Sequence, residues 1–434
     1  MKSKYMIIIS FDAVSSDDLK ILKTLPNFKK IIEGGSLIEN VESVYPTLTY
    51  PAHATIVTGK YPKNHGIIDN TIFKAGDFNP NWYWYRKDIK GSTLYDLAKE
   101  KGLSTCSLLW PVTGGSSIKY NLAEIFKVKP HQNQIVQSIC AGSLFYQLEL
   151  NNKFGHIRRG LTQPALDDFV IEAAKYTINK YSPNLMFIHF TDVDTNRHHY
   201  GYSDKKAIDG LYRHDKRLGE IIKVLEEKNI LHETDIVALG DHSQIDVDKM
   251  IKLNTLFKEN NLITVNGKGK VSDFQALCKS LDGSAYVYLK NPKDEKLKKK
   301  VEDLLNGVKT NKPDPIEFIL KDNEIIAKGA DSNASFMIEA SKSFYFVDDI
   351  EGDLLEDVKA DEVGIIDHRH KATHGYDNKK DNYGTFFIGY GKDFKKGIVL
   401  DTGKLINHGP TLAKVLGVDL KNVDGEVVDA ILQL

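Results

Sequence analysis

Tyr5-Met-Ile-Ile-Ile-Ser-Phe-Asp12 is an apolar run that ends in a carboxylate. With so little polar alternation, residues 5–10 predict a strand buried on both faces, the kind that parallel sheets use. An acid directly after such a strand lies at the carboxyl end of the sheet, where open α/β folds hold ligands. Most acids so placed only cap a turn, so Asp12 alone decides nothing. Residues 105–109, 185–190 and 235–239 have the same buried-strand character, and residues 383–388 read as a further strand. Between them lie amphipathic stretches. Residues 164–181 start with Pro164 and carry Asp167 and Asp168 in the first turn, and residues 204–228 repeat the helical spacing. Strands alternating with longer helices predict an α/β protein, a three-layer α/β/α sandwich around a mostly parallel sheet.

The chain has 434 residues, 41% of them hydrophobic and 27% charged, enough for one large core and a smaller second unit. Lys and Arg total 58 against 59 acids, a formal net charge of −1. That excludes a global basic field, so no nucleic acid polymer is expected as a partner and any anion needs a local site. Cys106, Cys140 and Cys278 are too few and too far apart for a disulfide framework or a thiolate metal site, and fit a reducing cytoplasm. The first apolar run is short and stops at Asp12, which reads as a strand rather than a secretion signal, and no apolar run is long enough to span a membrane. Nothing in the sequence fixes the oligomeric state. From 252 to 363 the character changes, with Tyr286-Val-Tyr288 and a lysine-rich stretch at 294–301. This segment reads as an inserted α+β cap subdomain, with 1–251 and 364–434 forming the catalytic unit. The lysines at 296–300 stand at offsets from acids, such as Glu295 with Lys299, that suit a solvated helix face rather than a polyanion patch.

Tyr45-Pro-Thr-Leu-Thr49-Tyr-Pro-Ala-His53 carries the candidate nucleophile. Pro51 suits the first position of a helix, which makes Thr49 a helix-entry residue beside free backbone N–H groups and the positive end of the dipole. By itself this stretch reads as an ordinary capping threonine, because a hydroxyl attacks phosphorus only when a base or metal activates it. Metal ligands are present. Asp194 and His198 stand at i and i+4, on one face of a helical turn; Asp241-His242 follows the strand at 235–239; His374 lies in Thr373-His-Gly-Tyr-Asp-Asn378. Oxygen and imidazole donors without thiolates suit two divalent ions of zinc or manganese type, which together clamp the attacking and leaving oxygens of a displacement at phosphorus.

These pieces, taken in order with Thr24-Leu-Pro-Asn27, Thr55-Ile-Val-Thr-Gly-Lys-Tyr-Pro62, His65-Gly-Ile-Ile-Asp-Asn70 and Trp110-Pro111, resemble the nucleotide pyrophosphatase/phosphodiesterase (type I phosphodiesterase) family of the alkaline phosphatase superfamily. The resemblance implies an alkaline phosphatase-like fold and, residue by residue, a set of roles. Thr49 would be the nucleophile that forms a covalent phospho-threonine. Asp12, Thr49, Asp241 and His242 would hold one metal, zinc before manganese, and Asp194, His198 and His374 the other. Asn70 would donate to a non-bridging phosphate oxygen. Tyr50 either lines the mouth of the site and stacks on a nucleobase or packs in the core at the helix start. Trp82-Tyr-Trp-Tyr85 reads as packing, and His53 and His65 as braces. His368 and His370 lie near His374, of which a three-ligand site needs one. The chain departs from the family pattern at Ala52, at Ser243, and at His189, which lies where some relatives place an aromatic that stacks on the base.

The expected function is metal-dependent hydrolysis of phosphodiester or pyrophosphate bonds in nucleotides or similar small molecules. A diester leaves a single charge on the attacked group, which suits one Asn and no arginine clamp. The alternatives are a phosphomonoesterase, phosphonate hydrolase or sulfatase on the same scaffold, or a catalytically silent metal- or nucleotide-binding protein. Against a sulfatase, Thr49 has no Cys/Ser-x-Pro-x-Arg segment.

Overall fold

A computed structural model describes residues 2–77, 80–267, 269–310, 313–366 and 368–433. Strands β1 (Tyr5–Phe11), β2 (Ser36–Glu42), β3 (Thr105–Leu108), β4 (Tyr120–Leu122), β5 (Leu185–Phe190) and β6 (Thr234–Leu239) join Thr385–Tyr390 and Ile398–Lys404 in one eight-stranded sheet. β1 lies at its centre, parallel to β5 on one side and β6 on the other. Thr385–Tyr390 runs antiparallel to both its neighbours, β6 and β2, while the other pairings are parallel. This strand starts and ends two residues later than its apolar run predicts.

Side chains alternate across a strand, so a strand buried on both faces feeds two cores. On β1, Ile7, Ile9 and Phe11 point into one cluster with Phe28, Val170 and Leu218, and Met6 and Ile8 point into another with Ile56, Val57 and Leu412. Helices Pro26–Gly34, Ala165–Tyr181 and Lys205–Glu227 cover the first face, and Thr49–Thr58, Leu94–Glu100 and His408–Leu416 the second. Each large side chain buried this way contributes roughly 1.5–3 kcal/mol, which explains the unbroken apolar runs. The two long helices fall where the spacing predicts, with Pro164 at one N-cap and the Asp204 carboxylate accepting from Lys206 N at the other.

A smaller four-stranded antiparallel sheet is built from Ala276–Leu281, Ser284–Leu289, Phe336–Ala340 and Ile316–Lys321. Composition places the change of character at 252, but β7 (Ile245–Ile251) pairs with Ser343–Phe346, Leu355–Asp357 and Ala372–Thr373, not with the large sheet. The chain therefore leaves the main sheet at the end of β6 and returns after 373, a wider span than 252–363. The lysine-rich helix Glu295–Lys309 is solvated, with Lys299 pairing Asp303 at 2.8 Å rather than Glu295. Among the described residues, no helix is long and apolar enough to cross a membrane.

Candidate active site

β1, β5 and β6 are adjacent and parallel, so their carboxyl ends share one edge of the sheet. Asp12 follows β1, the helix Asp192–Tyr200 carrying Asp194 and His198 follows β5, and Asp241-His242 follows β6. The helix Thr49–Thr58 starts two residues before Pro51, with Leu48 as its N-cap. Thr49 is therefore inside the first turn, and its hydroxyl makes no cap. It lies 3.1 Å from His242 Nε2 instead.

Around that hydroxyl, His242 Nε2 is 3.4 Å from Asp12 Oδ1 and 3.3 Å from Asp241 Oδ2. Ligands at about 2.0 Å around a tetrahedral zinc stand about 3.3 Å from one another, so these separations fit a four-coordinate ion. The outer carboxylate oxygens are already engaged: Asp12 Oδ2 faces His189 Nε2 at 3.0 Å and Asp241 Oδ1 accepts from Ala13 N at 3.1 Å. The inner ones, Asp12 Oδ1 and Asp241 Oδ2, are buried with no hydrogen-bond partner. Buried polar atoms seldom stay unpaired, and two facing carboxylate oxygens without a proton or cation between them repel. Burial and the charges of Asp241 and Asp194 push the Asp12 carboxyl well above its usual range, and burial pushes Asp241 up to about 6. Burial takes His242 down to about 4, which leaves its imidazole neutral and able to ligate. A dication at this point reverses the repulsion.

Asp194, His198 and His374 form a second group of ligand atoms, all within 4.8 Å of one another. Asp194 Oδ1 is 3.3 Å from His198 Nε2 and 4.0 Å from His374 Nε2. The His198 Nδ1–H donates to Ala372 O at 2.9 Å, and since a carbonyl only accepts, this fixes the tautomer with Nε2 bare toward Asp194. Burial opposes charge on Asp194, but His198, His374 and His242 outweigh it and hold the carboxyl below its usual range. Burial, then His242 and His198, push His374 down to about 3. The rings of His242 and His374 lie 4.3 Å apart, so the two groups adjoin. His374 is placed by glycine chemistry: Gly375 has φ +87°, and a Cβ there would stand 1.8 Å from Leu281 O.

Asn70 Oδ1 accepts from Tyr50 N at 2.9 Å, which turns the amide NH2 away from the helix and, among the described residues, leaves it without a protein partner. The turn is set by Asp69, which accepts from Asn70 N and Thr71 Oγ1. Tyr50 N is thereby used and Ala52 N donates to Leu48 O, so the helix start does not present the row of free N–H groups expected of it. Pro51 has none to give.

Of the two readings of Tyr50, the geometry fits core packing and not the mouth of the site. The residue is fully buried, edge-on to Trp82 at 5.1 Å, with its hydroxyl donating to Glu124 Oε1 at 3.1 Å. Its ring is a packing element, not a platform at the mouth. Trp82 and Trp84 pack on Phe126. His53 Nδ1–H donates to Thr49 O at 2.7 Å, and His65 Nε2 lies 3.0 Å from Thr55 Oγ1.

The sequence model of the type I phosphodiesterase/nucleotide pyrophosphatase family matches residues 6–377, a span that contains every residue just described. The chain belongs to that family. It is 24% identical over 406 residues to human ectonucleotide pyrophosphatase/phosphodiesterase family member 1, covering 87% of this chain and 36% of that protein. It is 21% identical over 434 residues to the bis(5′-adenosyl)-triphosphatase enpp4 of Xenopus laevis, covering 95% and 78%. The chain thus spans about a third of the length of the human relative. Among solved structures, human ectonucleotide pyrophosphatase/phosphodiesterase 5 superposes with a TM-score of 0.67 at 17% identity, over 99% of this chain and 100% of that one. An inactive threonine-to-alanine variant of the murine protein, in complex with AMP, gives 0.65 at 17% identity, over 99% and 100%. The fold is shared with both.

Three supporting residues of this family member escape a reading of its sequence. His189 on β5 is buried between Asp12 and Glu124, with Nδ1 3.2 Å from Glu124 Oε2, and so cannot stack on a base. Burial opposes its protonation, but the two carboxylates outweigh it and raise it well above the usual histidine range. Gln244 Nε2 donates to Asp194 Oδ1 at 2.5 Å. Glu124 lies two residues beyond β4, a three-residue strand that no apolar run marks, so no strand end points to it in the sequence.

Proposed function

We propose that this chain hydrolyses phosphodiester or pyrophosphate bonds of nucleotides or similar small molecules, with Thr49 as nucleophile and divalent ions held by the two adjoining groups. One observation carries the reading: the Thr49 hydroxyl lies 3.1 Å from His242 Nε2, and that nitrogen is 3.4 Å and 3.3 Å from Asp12 Oδ1 and Asp241 Oδ2, two buried carboxylate oxygens without a hydrogen-bond partner among the described residues. Asp12, Thr49, Asp241 and His242 would hold one ion and Asp194, His198 and His374 the other, with zinc favoured by the imidazoles and short separations. Such ions lower the pKa of a coordinated hydroxyl and neutralise charge at phosphorus.

The chain's own groups then divide the work. Thr49 Oγ1 attacks phosphorus as its proton passes to solvent and the bond to the leaving oxygen breaks; water then attacks the phospho-threonine, the P–Oγ1 bond breaks, and Oγ1 takes up a proton to restore the hydroxyl. The Asn70 NH2 donates to a non-bridging oxygen as charge builds there. His189 and Ala13 N hold the outer oxygens of Asp12 and Asp241 so that the inner ones keep their aim. A diester fits better than a monoester because Arg197, the buried arginine behind the site, is committed to Asp18 at 2.7 Å and to Ala13 O. Three unpaired cysteines support the cytoplasm as the proposed location.

The test is zinc-supplemented hydrolysis of p-nitrophenyl thymidine 5′-monophosphate against p-nitrophenyl phosphate, before and after chelation. Chelator-sensitive preference for the diester supports the reading, preference for the monoester moves the chain to phosphatase chemistry, and silence toward both overturns it.

A further inference from the structure

A third group of ligand atoms lies beside the second. Asp282, in the turn between strands Ala276–Leu281 and Ser284–Leu289, meets His368 and His370 from the loop before His374, and the three ligand atoms lie within 4.8 Å of one another. His368 Nδ1 and Asp282 Oδ1 form a loose ion pair at 3.7 Å, which leaves His370 out: among the described residues its Nδ1 is buried with no partner. The backbones are fixed independently of the side chains: the Tyr345 hydroxyl donates to His368 O at 2.9 Å, and Phe346 N donates to Asp282 O at 2.7 Å. Asp282 and His368 have φ of +62° and +58°, a conformation in which side chains other than glycine are uncommon.

We infer that Asp282, His368 and His370 form a third metal site, separate from the two ligand groups around Thr49. Two imidazoles and one carboxylate, with further positions open to water, suit a borderline dication such as zinc, and disfavour magnesium and calcium, which prefer oxygen alone. An ion there would cross-link the loop to the turn against which His374 is set, since Gly283 N donates to His374 O at 2.8 Å. It would also stand next to the Asp194 group, because the His198 and His370 rings are 4.4 Å apart.

The test is zinc content. Wild type, Asp282→Asn and His368→Gly are saturated with zinc, desalted and measured by plasma mass spectrometry against protein concentration. Asn tolerates the left-handed turn at 282 and Gly the one at 368, and the His368 side chain is 54% exposed, so neither change threatens the fold. Thermal unfolding of each variant checks this. Each variant is expected to hold one zinc per chain fewer than wild type. A double variant Asp12→Ala/Asp194→Ala, aimed at the other two groups, is expected to keep one zinc that is lost when Asp282→Asn is added. Equal zinc content in wild type and both single variants overturns the inference whatever that content is. So does a loss in His370→Ala that Asp282→Asn does not reproduce, which would give His370 to the Asp194 group.

Discussion

Thr49 and Asn70 are the residues whose removal discriminates most sharply. Thr49→Ala is expected to abolish steady-state turnover of p-nitrophenyl thymidine 5′-monophosphate while zinc still binds at Asp194, His198 and His374, because none of those ligands touches the hydroxyl. Unchanged turnover removes the covalent mechanism. Asn70→Ala is expected to lower kcat by about 10²-fold, the scale of losing one donor to a developing oxyanion. An effect confined to KM would make Asn70 a binding residue only. At this scale the candidate ligands are legible in the sequence through their combination: one acid at a strand end mostly caps a turn, but Asp12, the Asp194/His198 pair and Asp241-His242 follow three buried strands. The supporting shell is not legible. His189 and Gln244 are single polar residues in otherwise buried segments, and only the fold shows that one faces Asp12 and the other Asp194. Tyr50 misleads for a geometric reason: consecutive helical residues point about 100° apart, so a neighbour of Thr49 in sequence faces away from it in space.

The helix Asp192–Tyr200 is the element on which the second ligand group rests. Its first residue, Asp192, is fully buried and paired with Arg217 Nη1 at 2.8 Å and Arg213 Nε at 2.7 Å, and Arg217 also reaches Asp167 and Asp168 on the helix Ala165–Tyr181. Arg217→Met would leave buried Asp167 without a cation and Asp192 with Arg213 alone, and breaking such a buried pairing costs roughly 3–5 kcal/mol. A lower denaturation midpoint with weakened zinc retention is expected; a fall in activity with unchanged stability would contradict this. Strands β1, β3, β5 and β6 are legible because burial on both faces leaves no polar alternation, whereas β2, β4 and Ile398–Lys404, which also pair in parallel, carry polar residues and do not stand out. The Thr49–Thr58 helix is also less legible, since all ten of its residues are buried and no amphipathic stripe marks it. Where the segment after β6 begins is not legible, because β7 alternates polar and apolar residues like any half-buried strand and composition does not tell which sheet it joins.

For the molecule as a whole, stability should follow metal and pH separately. The candidate ligands run from Asp12 to His374, so an ion binds them only when the chain is folded, and ligands that bind the native state alone stabilise it by about 4 kcal/mol at 1,000 times Kd. Chelation is expected to lower the melting temperature measured by calorimetry by at least ~5 °C, reversibly. No shift would mean no tightly held ion. The pH term comes from the opposite end of β6. Burial, then Asp393, push the Asp235 carboxyl up to about 7. The folded protein thus keeps a proton that the unfolded chain releases near pH 4, so stability falls as pH rises from about 4 to about 7 and stays lower above it. Asp235→Asn is expected to flatten that slope and raise the melting temperature at pH 8; an unchanged slope would place the proton elsewhere.

The pairing of Ala372 and Thr373 with Asp246 and Ile245 has a consequence beyond packing. It fastens together the two points where the chain departs from the main sheet and comes back, immediately after His242 and immediately before His374. A segment gripped at its neck in this way behaves like a scion on a rootstock: its outer part can be pruned or extended while the joint keeps its form, provided the turn at 281–283, which touches His374, is kept. A change in the outer part of that segment can therefore leave the paired residues on either side of the joint where they are.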